Sequence, residues 1–500
     1  MATKRKLPGP ITILMIVIVL AAMATWLIPA GEFNKLSVAN NSFVITNADS
    51  SINLPLSQHT LDSINIKITL EKFTGGAIRK PVAVPGTYHT VKKNGQGILD
   101  ILQAPIKGIY DSIDIILFVL VIGGFMLVFH ESGAMVKGIS YLSHKMKGKE
   151  AWLIIILTFL FSFAGSSWGM AEETLVFYPI MIPLFLAAGY DLLVPVAVIF
   201  GGSQLGSLSS FSNPFSTIIA SNAAGVNWMD GINERVIMFV VSTAISIWYI
   251  GRYAQKIKKD PTASLVYKID GIVKSPFESE NNNNSTELKL EWRTRSMLLL
   301  FLFTFLGLIY GVVFLHWWLT EMTILFLGSS ILIAFLLRMK ENIFIRQFIK
   351  GAESLLPVAF IVGVARGVTI VLNDGHISDS IIFYSSRLVS GMPPALFIIM
   401  LLILFIVFTL FISSSSGMAV LTMPIMGALA IIVNVPGKEI VNAYLYGMGI
   451  MGFITPVGLI LPSLAMVNVS LKTWLKFMLP LMIILTVLCA VFLIVGVMFK

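Results

Sequence analysis

Charge is what this sequence has least of. Of its 500 residues only 12% are charged, while 56% are hydrophobic; a soluble globular chain is nearer a quarter charged. That shortfall excludes a domain with an ordinary solvated surface. Cysteine is almost missing as well. Cys489 stands alone inside an apolar run, which excludes a disulfide framework or a thiolate metal site within one chain. No His/Cys or paired-carboxylate spacing suits a metal. The apolar runs do not alternate with polar residues, which excludes a membrane-spanning barrel. The net charge of +9 does not indicate nucleic acid, because the basic residues fall between apolar runs, where they orient a membrane protein.

What is present is a series of uninterrupted apolar stretches. Ile11–Ile28 and Met297–Leu315 have the length, about twenty residues, that crosses a bilayer as a helix. Lys4, Arg5 and Lys6 precede the first run and Pro29-Ala30-Gly31-Glu32 ends it. A basic start also suits a signal peptide, but this run is long enough to remain as an anchor.

The expected spans lie at about 10–29, 113–132, 192–223, 234–251, 297–316, 320–338, 355–373, 438–468 and 474–499. Those at 192–223 and 438–468 are broken internally. Two further apolar segments are interrupted in the middle, 151–189 by SSWG at 166–169 and 395–434 by SSSSG at 413–417. Residues 31–112 form a polar insert. Asn65–Leu70 and Val82–Val91 are rich in β-branched residues there, which predicts a small β-containing cap. Taking the two interrupted segments as re-entrant hairpins puts Lys4–Lys6, Lys137–Lys149, the linker 252–295 and Arg338–Lys350 on one side. The short loops 225–233, 317–319 and 374–394 on the other side hold only Arg387. The positive-inside rule then makes the N-terminus cytoplasmic, the cap extracytoplasmic, and nine crossings leave Lys500 outside. The linker, with Asn281–Asn284 and charged flanks, separates a first membrane half, 1–251, from a connecting helix and second half, 296–500.

A repeat relates the halves. SSWGMAEET at 166–174 matches SSSGMAVLT at 414–422 in Ser, Ser, Gly, Met, Ala and Thr. Lys107-Gly108 precedes the first copy and Lys350-Gly351 the second. Asn213-Pro214 follows the first and Thr455-Pro456 the second. Landmarks in the same order at nearly the same spacing are a structural repeat. In the threading above, one hairpin enters from each side, so the halves are inverted. The fold class is therefore all-α and polytopic, with two inverted repeats that each hold a re-entrant hairpin and a broken helix. That is the architecture of secondary transporters, with substrate near the midplane.

Non-helical backbone at membrane depth is tolerated where it lines a cavity or is buried in protein. The tips Ser166, Ser167, Gly169 and Ser413, Ser414, Ser415, Ser416, Gly417 combine helix-end N–H groups with hydroxyls, a receptor for a carboxylate. Close helix packing is the plainer reading of the same small residues. In GSLSSFSNP at 206–214, Asn213-Pro214 frees carbonyls. Ser209, Ser210, Ser212 and Asn213 add side-chain oxygens, and Thr455 is the counterpart in the second half. Sodium at Ser212, Asn213 and Thr455 is one expectation; a ligand-free proline kink is the other. Glu172 and Glu173 follow the first tip, where the second half has Val420 and Leu421. Carboxylates at that depth are functional candidates, for a cationic group, a proton or Na⁺, although one of them suffices to cap its own helix. Arg366 is a candidate for a substrate carboxylate or for an ion pair. His130, Glu131, His316 and Glu321 read as interfacial, and Asn442, Tyr444 and Tyr446 as packing.

WLIPAGEF at 26–33, PGTYHTV at 85–91, the following NGQGILDILQAPIKG, GMAEETLVFYP, GSLSSFSNPF and SSSSGMA together resemble the YfcC-type branch of the four-carbon dicarboxylate carrier C family, itself similar to the wider ion-transporter superfamily. The resemblance spans nearly the whole chain except about 36–84 and the linker. It implies a scaffold domain and a transport domain, often a dimer, with the tips and breaks forming the site. It also implies a carrier of dicarboxylates or an exchanger of basic amino acids such as arginine and ornithine. A dicarboxylate would meet Glu172 and Glu173, and like charges at short range in low dielectric repel strongly. An amino acid, with its carboxylate at the serines and its cationic group at the glutamates, is therefore the preferred substrate. A dicarboxylate is the alternative. No cofactor is expected beyond Na⁺ or H⁺ as coupling ion. The expected partners are a small solute, the lipid bilayer of the cytoplasmic membrane and a second copy of the chain. An intramembrane serine enzyme would need a base near its nucleophile, and no histidine falls at the midplane. A channel would want a symmetric polar pore rather than a one-sided glutamate pair.

Overall fold

The computed structural model describes residues 9–39, 41–47, 51–64, 66, 68–74, 81–135, 137–138, 141, 149–167, 169–266, 292–315, 317, 319–389, 391–412 and 414–498. Several landmarks of the sequence lie outside the described residues: Lys4–Lys6, Lys145, Lys147, Trp168, Asn281–Asn284 with most of the linker, His316, Ser413 and Lys500.

The architecture is helical with one small β cap. The helices are α1 (Pro10–Leu27), α2 (Ile98–Asp111), α3 (Ile113–His130), α4 (Ala151–Ser167), α5 (Tyr178–Ala187), α6 (Leu193–Leu208), α7 (Pro214–Ile218 continued by Ile219–Ala223) and α8 (Ile232–Lys259). After the linker come α9 (Trp292–Phe314), α10 (Leu319–Leu336), α11 (Glu341–Asp374), α12 (Ser378–Val389), α13 (Pro394–Thr409), α14 (Ser415–Val433), α15 (Gly437–Gly452), α16 (Ile460–Met466) and α17 (Leu471–Met498). Among the described residues, α1, α3, α8, α10, α11 and α17 are each long and apolar enough to cross a membrane; α4, α6 and α13 are shorter apolar helices.

The cap contains β1 (Gly31–Glu32), β2 (Lys35–Ala39), β3 (Ser42–Thr46), β4 (Ser51–Pro55), β5 (Val82–Ala83) and β6 (His89–Thr90). One sheet has the order β4-β3-β2-β5, with Lys35 opposite Thr46 and Phe43 opposite Leu54; β1 pairs with β6. Of Asn65–Leu70, Asn65 and Lys67 lie outside the described residues; the others hold no strand, and a helical turn, Leu70–Thr74, starts at its end. The strands form instead over 35–55, where alternating residues such as Leu36 and Phe43 are fully buried.

The polar insert also ends earlier than expected. Residues 98–111 are the helix α2, whose Asp100, Gln103, Lys107 and Asp111 recur at helical spacing and whose remaining face is apolar. It leads directly into α3, and the two run antiparallel to α11. Glycines set that crossing. A Cβ on Gly108 would strike the carbonyl of Gly363, and one on Gly351 would strike that of Gly123. This is the physical sense of the repeated Lys-Gly pair: both glycines are points of close approach along α11, Gly108 from α2 and Gly351 to α3. α11 itself begins at Glu341, well before the expected span, and α12 occupies what the sequence left as a loop.

Packing sorts the helices into two bodies that do not follow the sequence halves. α1, α2, α3, α9, α10 and α11 form the first, around Phe118, Phe125, Phe129, Phe301, Phe305 and Phe326. α4–α8 and α13–α17 form the second. Within it, α4 runs parallel to α6, with Phe161 beside Gly202 and Ser166 beside Gly206. Likewise α13 runs parallel to α15, with Phe405 beside Gly447 and Thr409 beside Thr455. The helices α6 and α15 cross antiparallel, Leu208 against Gly449 and Gln204 against Gly452. The two copies of the motif thus point in opposite directions.

Candidate functional site

The first tip closes on the break that follows α6. Ser166 is fully buried. Its Oγ donates to the carbonyl of Ser209 at 2.9 Å and accepts the N–H of Phe211 at 3.1 Å. The carbonyl of Ser166 accepts the N–H of Ser212 at 3.2 Å and the hydroxyl of Ser210 at 3.4 Å. Ser212 Oγ donates to the carbonyl of Ser167 at 3.1 Å. These bonds satisfy backbone groups that a broken helix leaves without intrahelical partners, as burial demands. Ser209 Oγ returns to the carbonyl of Leu205 at 2.7 Å, and Ser210 pairs with Thr217 at 2.6 Å. Ser167 Oγ is buried with no partner among the described residues.

Asn213 is the keystone of that closure. Its Oδ1 accepts the N–H groups of Phe215 at 2.8 Å and Ser216 at 3.3 Å, capping α7, and its Nδ2 donates to the carbonyl of Gly165 at 3.3 Å. Gly169 has φ +79°, and a Cβ there would lie 2.6 Å from Asn213 Oδ1. Only glycine suits both the backbone angle and the space. A cation at Asn213 Oδ1 would have to displace two capping bonds.

The second tip is built more sparsely. Ser414 Oγ accepts the N–H of Gly417 at 3.2 Å and caps α14. Tyr444, expected only to pack, donates its hydroxyl to the carbonyl of Ser415 at 2.8 Å. Ser416 lies in the half-buried first turn of α14. Thr455 Oγ1 donates to the carbonyl of Thr409 at 3.3 Å, joining this break to its tip. The antiparallel crossing of α6 and α15 brings the two breaks together, and α14 lies along α7.

The glutamates separate in role. Both lie in a 3-10 turn, Glu172–Phe177. Glu173 is buried and its Oε2 accepts the N–H of Ala171 at 2.9 Å, so it caps its own turn. The turn that carries Glu172 packs on α3 of the first body. Arg366 forms an ion pair with Asp111, Nε to Oδ2 at 2.5 Å. Asp111 and Asp114 were not singled out in the sequence, because both sit at the boundary between the polar insert and the second span. The signal that would have found them is the polar spacing of α2. Asp111 and Arg366 thus pair within the first body, while Glu172 and Glu173 stand together in the turn that follows the first tip. Among the described residues, no group of three or more His, Cys, Asp or Glu side chains is placed to hold a metal ion.

Comparison with known proteins places this architecture. The chain is 38% identical over 504 residues to an uncharacterised protein of Haemophilus influenzae, covering 99% of each. It is 26% identical over 491 residues to YfcC of Escherichia coli K12, whose name marks it provisionally as a basic amino acid antiporter, covering 94% of this chain and 92% of that one. Two solved structures overlap more loosely. They are the YdaH transporter of Alcanivorax borkumensis (13% identity, TM-score 0.39, 99% of both chains) and MtrF of Neisseria gonorrhoeae, from a class of antimetabolite efflux pumps (15% identity, TM-score 0.40, 99% of this chain and 96% of that one). Likeness at that level carries no argument. The family model for C4-dicarboxylate anaerobic carriers, DcuC, matches residues 7–498. The chain thus belongs to the DcuC family and is a multi-pass membrane transporter rather than an enzyme.

Proposed function

We propose that this transporter exchanges amino acids, with arginine and ornithine as the leading pair, across the cytoplasmic membrane. The observation that carries this reading is the adjacent pair Glu172 and Glu173 in the turn directly after the first tip, with Arg366 already paired with Asp111. An unbalanced carboxylate at membrane depth is expensive and calls for a cationic partner. The ammonium or guanidinium of the substrate supplies it at Glu172. The substrate carboxylate is received by the serine tips: by Ser167 Oγ, buried without a partner, and by the N-terminal end of α14 with Ser414, Ser415, Ser416 and Gly417. The name of YfcC agrees with this reading.

The two oppositely directed copies of the motif serve as the inverted halves of an alternating-access carrier, with the substrate at the meeting of the breaks. The distribution of basic residues puts the N-terminus in the cytoplasm and the cap outside. A second copy of the chain completes a homodimer. A proton or Na⁺ accompanies substrate if Ser212 and Thr455, whose hydroxyls donate to protein carbonyls and keep lone pairs free, contribute to an ion site with Asn213.

A four-carbon dicarboxylate is the second reading, favoured by the description of the family. Under it Glu172 serves ion coupling and the two tips take the two carboxylates. Counterflow in proteoliposomes separates the readings. Vesicles are loaded with unlabelled arginine, ornithine or succinate, and the matching labelled solute is added outside with and without Na⁺. Accumulation of arginine or ornithine supports exchange of cationic amino acids. Accumulation of succinate alone overturns it. Saturation with counterflow also excludes a channel.

A further inference from the structure

Residues 203–210 carry five polar side chains, and three of them are spent on the protein. Ser203 Oγ donates to the carbonyl of Met170, next to the first tip. Ser209 Oγ donates to the carbonyl of Leu205 at 2.7 Å, and Ser210 pairs with Thr217 at 2.6 Å. Gln204 and Ser207 are the other two. Neither side chain has a hydrogen-bond partner among the described residues. Both are half-buried, and their polar ends are not sealed in as Ser167 Oγ is. Three residues apart on one helix, they share a face. A free amide at membrane depth is costly unless open space brings it water or a ligand.

This face lies where the two repeats meet. Ser203 ties the same turn of α6 to the first tip. Toward the second break, a Cβ on Gly452 would strike Gln204 Nε2, while Oε1 would be 3.5 Å away. Gly452 lies one turn before Thr455, and Leu208, one turn beyond Gln204, touches Gly449. The nitrogen end of the amide thus rests on α15, and the oxygen end is turned away from it.

A basic amino acid brings a carboxylate, a side-chain cation and an α-ammonium. The serine tips take the first and Glu172 the second, which leaves the α-ammonium without acceptors. Its N–H donors need oxygens. Its charge is offset by its own neighbouring carboxylate, so neutral oxygens suffice.

We propose that Gln204 is a specificity-determining residue whose Oε1, together with Ser207 Oγ, accepts N–H groups of the substrate α-ammonium. This rests on the reading that the carrier exchanges basic amino acids. It narrows the substrate class to α-amino acids. A solute with the same two ends and no α-ammonium leaves both oxygens unmatched, and a site built to hydrogen-bond a group rejects the analogue that lacks it.

The test uses the full-length chain in proteoliposomes with the membrane potential clamped. Half-saturating concentrations in counterflow are compared for arginine and for δ-guanidinovalerate, which is arginine without its α-amino group. Wild type should favour arginine by about tenfold or more, the worth of a hydrogen bond to a charged group. Gln204→Met keeps the bulk and removes the oxygen. It should weaken arginine by about tenfold and leave δ-guanidinovalerate unchanged, so that the preference collapses. Ser207→Ala should shift arginine in the same direction by about threefold. Gln204→Glu keeps an acceptor oxygen and should retain the preference. Equal affinity of wild type for the two solutes overturns the proposal. So does a Gln204→Met change that weakens both by the same factor, since that is the mark of a packing role. If Gln204→Met does not insert, Ser207→Ala decides, and an unchanged preference there overturns the assignment. Wild-type protein that exchanges neither arginine nor ornithine overturns the underlying reading, and this assignment with it.

Discussion

The two hairpin tips share a pattern and differ in chemistry. The first is zipped to its break by the hydroxyls of Ser166, Ser210 and Ser212, by the amide of Asn213 and by a glycine in the left-handed region. The second is joined to its break by Thr455 and steadied by Tyr444. The first carries Glu172 and Glu173; the second has Val420 and Leu421, of which Val420 is buried. A duplicated frame thus holds one charged and one neutral copy. A symmetric pore has no use for such a difference. A carrier that must orient a solute with unlike ends does.

Removing the charged copy should have the largest effect. Glu172→Gln should reduce exchange on the order of 100-fold, as expected for loss of one member of a desolvated charge pair. Glu173→Gln should be milder, because a glutamine oxygen can still accept the Ala171 N–H. Initial rates of counterflow, normalised to inserted protein, decide this; equal losses would remove the distinction in roles.

The zipper comes next. Ser166→Ala strands the Phe211 N–H and the Ser209 carbonyl in a buried place, and should destabilise by about 1–3 kcal/mol. Thr455→Val removes one longer bond and should lose about 1 kcal/mol. Unfolding in a mild denaturant reports both, and a larger loss at Thr455 would reverse the comparison between the tips.

Backbone geometry sharpens it again. Gly169→Ala forces a side chain into φ +79° and against Asn213, at about 1–2 kcal/mol for the dihedral alone. Gly417→Ala, in the first turn of α14, should be neutral or stabilising by up to about 1 kcal/mol. Thermal midpoints of the two single variants test the contrast.

The smallest effect lies where α12 meets the cap. Asp379 on α12 accepts the Phe33 N–H at 3.1 Å and approaches Lys35 at 3.7 Å. Burial pushes its carboxyl above the usual range, against the pull of Lys35 and of that N–H. The folded state therefore holds the proton more tightly than the unfolded chain. The contribution of Asp379 to stability is greatest below the ordinary carboxylate value and declines as pH rises through its own raised value. Wild type minus Asp379→Asn should show that slope in thermal midpoints measured across the acidic range. A difference that rises with pH would contradict it.

Much of this was legible in the residues. Long apolar runs with few charges admit only spanning helices, because lipid offers the backbone no partners. Ser-Gly and Asn-Pro clusters stop helices by local chemistry, so the tips and breaks at 166–169, 209–214 and 455–456 could be read directly. The family followed from motifs over most of the length. Less legible was α2, whose polar stripe made it resemble the insert that precedes it. The same blurring hid Asp111 and Asp114. The β-branched stretches predicted the cap but only part of its strands, because strand propensity reports a half-buried pleated surface, and that surface forms mainly over 35–55.

What the sequence determined by itself is the set of local interruptions and the membrane class, since both depend on neighbouring residues and on transfer from water to lipid. Only the tertiary structure decided that the two bodies draw helices from both halves, that Asn213 spends its oxygen on capping, and that Arg366 pairs with Asp111. Those outcomes depend on contacts between residues far apart in the chain, 255 positions for Arg366 and Asp111. Which distant carboxylate meets which guanidinium is set by helix crossing, and the crossing is set by glycines whose meaning is visible only once their partners are in place.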